Sequence, residues 1–375
     1  MLRFLTAGES HGRCLVVVLD GLPAGVSISP MAIDAEMKRR QFGYGRGPRM
    51  KLEMDHVEVL SGLRGGKTLG SPMSLQITNK DFSIDRLPVV TQPRPGHADL
   101  TGAMKYDHRD IRNVLERASA RETAARVAVG AICKQLLREL GIELASHVVA
   151  IGSTRARPLP RLSIPQLRKQ ADQSPMRCLD PQATKKMMRE IDDCVKRGDT
   201  LGGVFEVLAF GAPPGLGSYV QYDRRLDAIL ARSVMAIHAV KAVEVGDGVL
   251  ASVLPGSKVQ DEIFYTKARG FYRSSNRSGG FEGGMTTGQP IVVRGFLKPL
   301  STLRKPLRSV EINTKRAVVA TVERSDVCTV PAAGVIGEAM VAFELAKACL
   351  EKFGGDSLRE LKRNYHGYLR QTKQF

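Results

Sequence analysis

A chain of 375 residues with a net charge of +18 and 43% hydrophobic residues has enough apolar mass for a real core and room for two lobes. Its longest apolar runs, such as Cys14 to Leu19, suit strands and are far too short to span a bilayer, and the run Met1 to Ala7, broken by Arg3, does not read as a signal peptide. Aromatic residues make up 5% and tryptophan is absent, so the charge lacks the stacking platforms of a single-strand nucleic-acid groove and favours small phosphorylated anions.

In chain order, the pattern predicts a strand over LRFLTA, the turn GESHG at 8–12, a strand over CLVVVLD, the turn GLPAG at 21–25 and a helix from Pro30 to Arg40. Residues 41–49, QFGYGRGPR, are too rich in glycine for a regular element and read as an exposed basic loop. GGKTLGSP at 65–72 leads into the strand SLQI. The clearest helix starts at Ser119, where SARE reads as a capping box: Ser119 accepts from the Glu122 amide and the Glu122 side chain reaches back. Small or apolar residues follow at Ala124, Val127, Ala128, Ala131, Ile132 and Leu136, and Gly141 stops the helix, so it belongs in the interior. Residues 154–200 are more polar and read as a peripheral insert. VFEVLAF then leads into GAPPG at 211–215 and a helix between Arg224 and Val240. GGMTTGQP at 283–290 leads into IVVRGF, an alanine-rich helix covers 331–352, and a basic tail, 354–375, is expected at the periphery.

Three elements therefore recur in the same order: a strand–glycine turn–helix, a glycine turn before a strand, and an alanine-rich helix. The recurrence predicts an internal duplication, with half A at about 1–150 and half B at about 201–353. The expected class is α+β, two related halves around a shared interior within one domain over 1–353, and not a doubly wound parallel sheet.

The six cysteines, Cys14, Cys133, Cys178, Cys194, Cys328 and Cys349, include no CxxC pair, and several sit in apolar stretches; they read as core residues of a protein from a reducing compartment, with no structural zinc. Familiar phosphate motifs also fail. SGLRGGKT has Ser61 where a P-loop needs its first glycine, GYGRG lacks dinucleotide-fold spacing and context, and there is no HExxH, EF-hand loop or GxSxG. What remains is a set of segments pairing small residues with chemically competent ones: GESHG with Ser10 and His11, RRQFGYGRGPR at 39–49, RPGHAD with His97 beside Asp99, ERASARET at 116–123, NRSGGFEGG at 276–284 and ERSDVCTVP at 323–331. A carboxylate next to His97 can fix its tautomer. His56, His108, His147 and His366 lack such surroundings and read as structural or solvated.

Together these segments resemble the chorismate synthase family from Met1 to about residue 350. The resemblance is carried by GESHG, RRQFGYGRGPRMK, SGLRGGKTLGSP, RPGHADLTGAMKY, RASARETAARVAVGA, GDGV, NRSGGFEGGMTTGQP and SDVCTVPAAGVIGEAM. It implies a β-α-β sandwich assembled as a homotetramer in the cytoplasm. It also implies a 1,4-elimination that converts 5-enolpyruvylshikimate 3-phosphate to chorismate and phosphate, requires reduced FMN and has no net redox change. NADPH is implied as a reductant, with an external flavin reductase for family members that do not reduce their own FMN. By resemblance His97 protonates the departing phosphate, His11 protonates reduced flavin, Asp326 helps the flavin N5 act as a base, and Ser10 and Ser119 relay protons. FMN contacts carried over by motif are Arg117, Ala118, Ser119, His238, Ala239, Gly283, Lys298, Pro299, Leu300, Ser301, Thr302 and Arg324. Arg40 and Arg46 match positions for NADPH or a phosphoanion, and Arg40, Arg46, Arg49 and Arg121 are the expected substrate cations, bidentate arginine being suited to carboxylates and phosphate. The chain departs from the family at Gly65, where many members carry histidine, and at His238, a position often filled by Pro, Gln or Asn. No nucleic-acid or membrane partner is expected.

Overall fold

The structure is a computed structural model, and it describes residues 1–47, 54–158, 162–323 and 326–375. Two antiparallel sheets dominate. The first has the order β1-β2-β6-β3, built from Arg3–Ala7, Cys14–Asp20, Met73–Thr78 and Glu58–Val59. The second has the order β10-β15-β9-β7-β8, built from Val240–Val245, Ile291–Leu297, Gly203–Phe210, Glu143–Ile151 and Thr154–Arg155. Period-2 patterning sets the inner faces: Leu15, Val17 and Leu19 on β2 and Met73, Leu75 and Ile77 on β6 are buried, and the residues between them are not.

The helices that build the core and the site are α1 (Pro30–Gln41), α2 (Asp99–Tyr106), α3 (Arg112–Leu115), α4 (Thr123–Arg138), α5 (Ile164–Gln173), α6 (Pro181–Arg197), α7 (Leu226–Met235), α8 (Val330–Phe353) and α9 (Leu358–Gln374). Helices α4 and α8 pack on each other; α4 also meets β1 and β2, and α8 meets β7 and β9. Small residues permit this closeness. A Cβ built on Gly130 of α4 would lie 2.2 Å from Ala339 Cβ, and one on Gly337 of α8 would lie 2.5 Å from the Phe205 ring.

The two halves match strand for strand. β1-β2-β6-β3 corresponds to β7-β9-β15-β10, and the chain visits each set in the same order. α1 and α7 follow β2 and β9. The small hairpins β4–β5 (Leu63–Arg64, Lys67–Thr68) and β13–β14 (Phe281–Glu282, Met285–Thr286) precede β6 and β15. The correspondence extends to single hydrogen bonds. Thr68 Oγ1 donates to Pro23 O (2.6 Å) and accepts from Val26 N (2.9 Å); Thr286 Oγ1 donates to Pro213 O (2.6 Å) and accepts from Leu216 N (2.8 Å).

Within the segment 154–200 lie α5 and α6, whose Leu167, Ala171, Met187, Ile191 and Cys194 are buried. α5 covers the outer face of β7, which is why successive residues from Leu144 to Val148 are buried on both sides of the strand. The C-terminal segment is α9, which buries Leu361 and Tyr365, the latter ring packed edge-on against Phe353. A buried ion cluster joins the layers: Glu338 of α8, fully enclosed, accepts two bonds from Arg39 of α1 (2.8 Å each), one from Ser146 of β7 (2.6 Å) and one from Lys134 of α4. All six cysteines are free and five are buried, and burial pushes the Cys328 and Cys349 thiols up to about 12. No helix among the described residues is long and apolar enough to cross a membrane.

Candidate active site

The GESHG turn connects β1 to β2 and is held from outside. Asn79 Nδ2 donates to Glu9 O (3.1 Å) and Gly12 O (2.8 Å), and the Arg117 guanidinium donates to Gly8 O (3.0 Å) and Thr6 O (2.9 Å). Ser10 is buried, and its N–H donates to Glu116 O at 3.0 Å. The His11 N–H donates to Glu116 Oε2 (2.8 Å), and His11 Nδ1 lies 2.9 and 3.0 Å from the two carboxylate oxygens. Arg112 Nη1 backs Glu116 at 3.1 Å. Burial alone would raise the Glu116 carboxyl, but the bonds from His11 and Arg112 outweigh it and hold it below the usual carboxylate range.

His97 has the same wiring on the loop that enters α2. Its Nδ1 lies 2.5 Å from Oδ1 of the fully buried Asp99, which also accepts from Arg94 Nε (2.8 Å), Arg94 Nη2 (3.1 Å) and Arg94 N (3.0 Å). Burial raises the Asp99 carboxyl, yet the bonds from His97 and Arg94 keep it well below its ordinary value. Arg94 Nη2 is also 3.1 Å from His97 Nδ1, but a guanidinium has no acceptor, so the Nδ1 hydrogen points at Asp99.

The loop after β15 closes on this segment. Lys298 Nζ donates to Gly96 O (2.6 Å) and Ser301 Oγ (3.0 Å), Ser301 Oγ donates to Gly96 O (2.8 Å), and Thr302 Oγ1 accepts from Arg94 Nη1 (2.9 Å). Ala239 O accepts from Lys298 N at 2.9 Å, which brings residues 238–239 to the same place. His238 Nδ1 is buried and has no hydrogen-bond partner among the described residues. Burial lowers the His238 pKa, Arg126, His97 and Arg117 lower it further, and Glu122 opposes them, so the ring is held neutral. Burial, with Lys241 nearby, also lowers the Lys298 ammonium. An ammonium, the Thr302 hydroxyl and an unspent imidazole nitrogen form a polar set that fits a phosphate-bearing cofactor such as FMN.

A third group gathers the arginines. Arg40, 4% exposed, donates to Asp55 Oδ2 (2.8 Å) and Thr123 Oγ1 (3.3 Å). Arg121 donates to Asp55 Oδ1 (2.6 Å) and Asn79 Oδ1 (2.9 Å), which ties this group to the GESHG turn. Arg46 pairs with Asp326 at 3.0 Å, and Asp326 also accepts from Gly47 N at 2.5 Å. Arg40 Nε and Arg46 Nε are buried donors without a partner among the described residues, an arrangement that an anion would complete. Burial lowers the Arg40 pKa, and Arg121 and Arg46 lower it further against the pull of Asp55.

Most expected residues are thus brought together: Ser10, His11, Arg117 and Arg121 around the turn, His97 with His238, Ala239, Lys298, Ser301 and Thr302, and Arg40 with Arg46 and Asp326. Pro299 is exposed, and Leu300 O accepts from Thr200 Oγ1 at 2.8 Å. Ala118 donates its N–H to Val114 O at 2.9 Å. Gly283 sits at the tip of the β13–β14 hairpin beside Tyr219, and none of the described contacts joins it to these loops. Gly65 occupies the matching tip of β4–β5, with open space around it. Arg49 and Arg324 lie outside the described residues. The capping box at Ser119 does not form: Ser119 Oγ accepts from Arg121 N (3.3 Å), a 3-10 turn precedes α4, and the Glu122 side chain goes instead to Thr6 (2.9 Å) and Arg126 (2.8 Å). Glu116, Asn79, Asp55, Arg94 and Arg112 were not foreseen. Glu116 and Arg94 lie inside the motifs ERASARET and RPGHAD, and that position was the only signal for them.

Similarity to known proteins extends over nearly the whole chain. The family model for chorismate synthase matches residues 2–350. The chorismate synthase of Desulforudis audaxviator is 55% identical over 385 aligned positions, covering 100% of this chain and 98% of its own. That of Listeria welshimeri serovar 6b is 52% identical and covered completely in both directions. A crystal structure of chorismate synthase superposes with a TM-score of 0.83 at 44% identity, covering 100% of this chain and 99% of that one.

Proposed function

The chain belongs to the chorismate synthase family, lyases of the shikimate pathway, and from that premise we propose that it eliminates phosphate from 5-enolpyruvylshikimate 3-phosphate in a 1,4 sense, with reduced FMN bound, to give chorismate. The observation that carries the reading is the pair of histidines, His11 and His97, each with a buried carboxylate on Nδ1 and an arginine behind it. Such a carboxylate accepts only, so each Nδ1 keeps its hydrogen and each Nε2 is the nitrogen left to handle a proton. His97 Nε2 delivers a proton to the departing phosphate, which leaves poorly as a trianion; a positioned general acid contributes on the order of 10²–10⁴ in rate. His11 Nε2 holds the second proton, and Ser10 and Ser119 relay protons to and from the site. Arg40, Arg46, Arg49 and Arg121 bind the substrate's carboxylates and phosphate and hold them in fixed register. Lys298, Pro299, Leu300, Ser301 and Thr302, with Arg117, Ala118, Ser119, His238, Ala239, Gly283 and Arg324, would hold the cofactor, and Asp326 orients the Arg46 side of the site. Reduced FMN supplies transient electron density and an acceptor for the hydrogen lost from carbon.

The wider reading is a cytoplasmic homotetramer supplied with reduced FMN by NADPH or by an external flavin reductase. The fold reading is a β-α-β sandwich, one domain over 1–353 with an insert at 154–200 and a tail at 354–375. It arose by duplication of halves 1–150 and 201–353; the matched strand orders and the Thr68 and Thr286 bonds support this. The test is an anaerobic assay of phosphate and chorismate release with reduced FMN, run beside FMN plus NADPH. Product is expected in the first arm, and its absence there refutes the reading. Product in the second arm, without added reductase, shows that the chain reduces its own FMN.

A further inference from the structure

We propose that Glu116 is the positioning residue for His11, fixing both the place of the imidazole and the nitrogen that carries its hydrogen. The inference rests on the reading that gives His11 a proton to handle. Glu116 follows α3 and is enclosed, its side chain 1% exposed. It meets the Ser10–His11 dipeptide at three donors: its carbonyl accepts from Ser10 N (3.0 Å), and its carboxylate accepts from His11 N (2.8 Å) and from His11 Nδ1 (2.9 and 3.0 Å). One residue therefore ties the backbone N–H groups of residues 10 and 11 to the orientation of the ring.

The donors around this carboxylate decide its state. Arg112 Nη1 donates to Oε1 at 3.1 Å, and Arg112 is itself anchored by Pro88 O (2.8 Å) and Glu323 (3.2 Å). Surrounded only by donors, Glu116 is ionised and can only accept, so His11 must present a hydrogen on Nδ1. Nε2 is then the working nitrogen. Among the described residues, the other charged group paired with the ring is Asp81, whose Oδ2 lies 3.8 Å from Nε2 and is half exposed. Asp81 accepts from Ser83 Oγ and is 46% exposed, so it holds the ring less firmly than the enclosed Glu116.

Glu116→Gln isolates the effect. Its single oxygen is drawn to Arg112, which has no acceptor to offer, and the amide then turns its NH2 toward His11. That group opposes the His11 N–H and donates to Nδ1, moving the ring hydrogen to Nε2. The experiment uses the full chain with ¹⁵N-labelled histidine, spectra of neutral His11, and anaerobic turnover with reduced FMN. Wild type should show a protonated Nδ1, and Glu116→Gln should show a protonated Nε2. Turnover in the variant should fall on the order of 10²-fold, as expected for a mispositioned acid–base histidine, with FMN affinity unchanged. The double variant His11→Asn/Glu116→Gln should be no slower than His11→Asn, because both changes remove one function. A protonated Nε2 in wild type overturns the proposal without need of any variant, which keeps it testable if Glu116→Gln does not fold. So does a Glu116→Gln protein that keeps the Nδ1 hydrogen, or losses that multiply in the double variant. Normal turnover by His11→Asn instead refutes the role given to His11, and the spectra still decide the position held by Glu116.

Discussion

Replacing Gly130 by alanine sets two effects of known size against each other. In an open helix the change should stabilise by up to about 1 kcal/mol, because glycine is a poor helix former. Gly130 is not in an open helix: the new Cβ would lie 2.2 Å from Ala339 Cβ, 2.3 Å from Ala339 Cα and 2.8 Å from Ala339 O. Carbon atoms pack at roughly 3.5–4.0 Å, so α4 and α8 would have to part by more than about 1 Å along their contact. The obstruction is backbone and a methyl group, neither of which can swing aside. Overpacking of this kind costs typically about 1–3 kcal/mol and sometimes more, so the steric effect wins. Gly367 on α9 is the control, since a Cβ there meets nothing within 4 Å. Urea unfolding of both variants beside wild type should move the midpoint down for Gly130→Ala and level or up for Gly367→Ala. Equal stabilisation in the two variants would refute the close approach of α4 and α8.

Three further outcomes are expected. Asp99→Asn cannot serve His97 and Arg94 together through one oxygen, so kcat should fall on the order of 10²–10⁴-fold in the anaerobic assay with FMN affinity retained; near-normal turnover would remove Asp99 from the site. Thr68→Val and Thr286→Val each strand one buried carbonyl and one buried amide, so each should cost about 1–3 kcal/mol in unfolding experiments; a cost confined to one of them would break the equivalence of the halves. Glu36 is buried, which alone would raise its carboxyl, but Lys134 and Arg39 bring it down to about 2 from 4.5. A depressed folded value means stability that is fully present above pH 4.5 and lost progressively as pH falls toward 2. Thermal melts between pH 2 and 6 should show that loss, and Glu36→Gln should flatten it; an unchanged slope in the variant would assign the acid sensitivity elsewhere.

The sequence alone determined the local elements and the kind of chemistry. Short apolar runs became β2, β6, β9 and β15, glycine turns fell where the chain reverses, and the alanine-rich stretches became the two central helices. Those are local quantities, set by which face of a strand or helix is apolar and by which residues tolerate a turn. The long motifs likewise disclosed the family, with His11, His97 and the arginines as candidates. Tertiary structure decided which charge meets which. His11 and Glu116 are 105 residues apart, Lys298 and Gly96 are 202 apart, and Arg39 and Glu338 are 299 apart. Ser119 shows the competition directly: its local motif specifies a reciprocal cap, but Thr6 and Arg126 offer Glu122 better partners once β1 lies alongside. Sequence pattern says which face is buried but not which face it is buried against. Pairings between distant side chains therefore appear only when sheet register and helix packing bring the layers within hydrogen-bond reach.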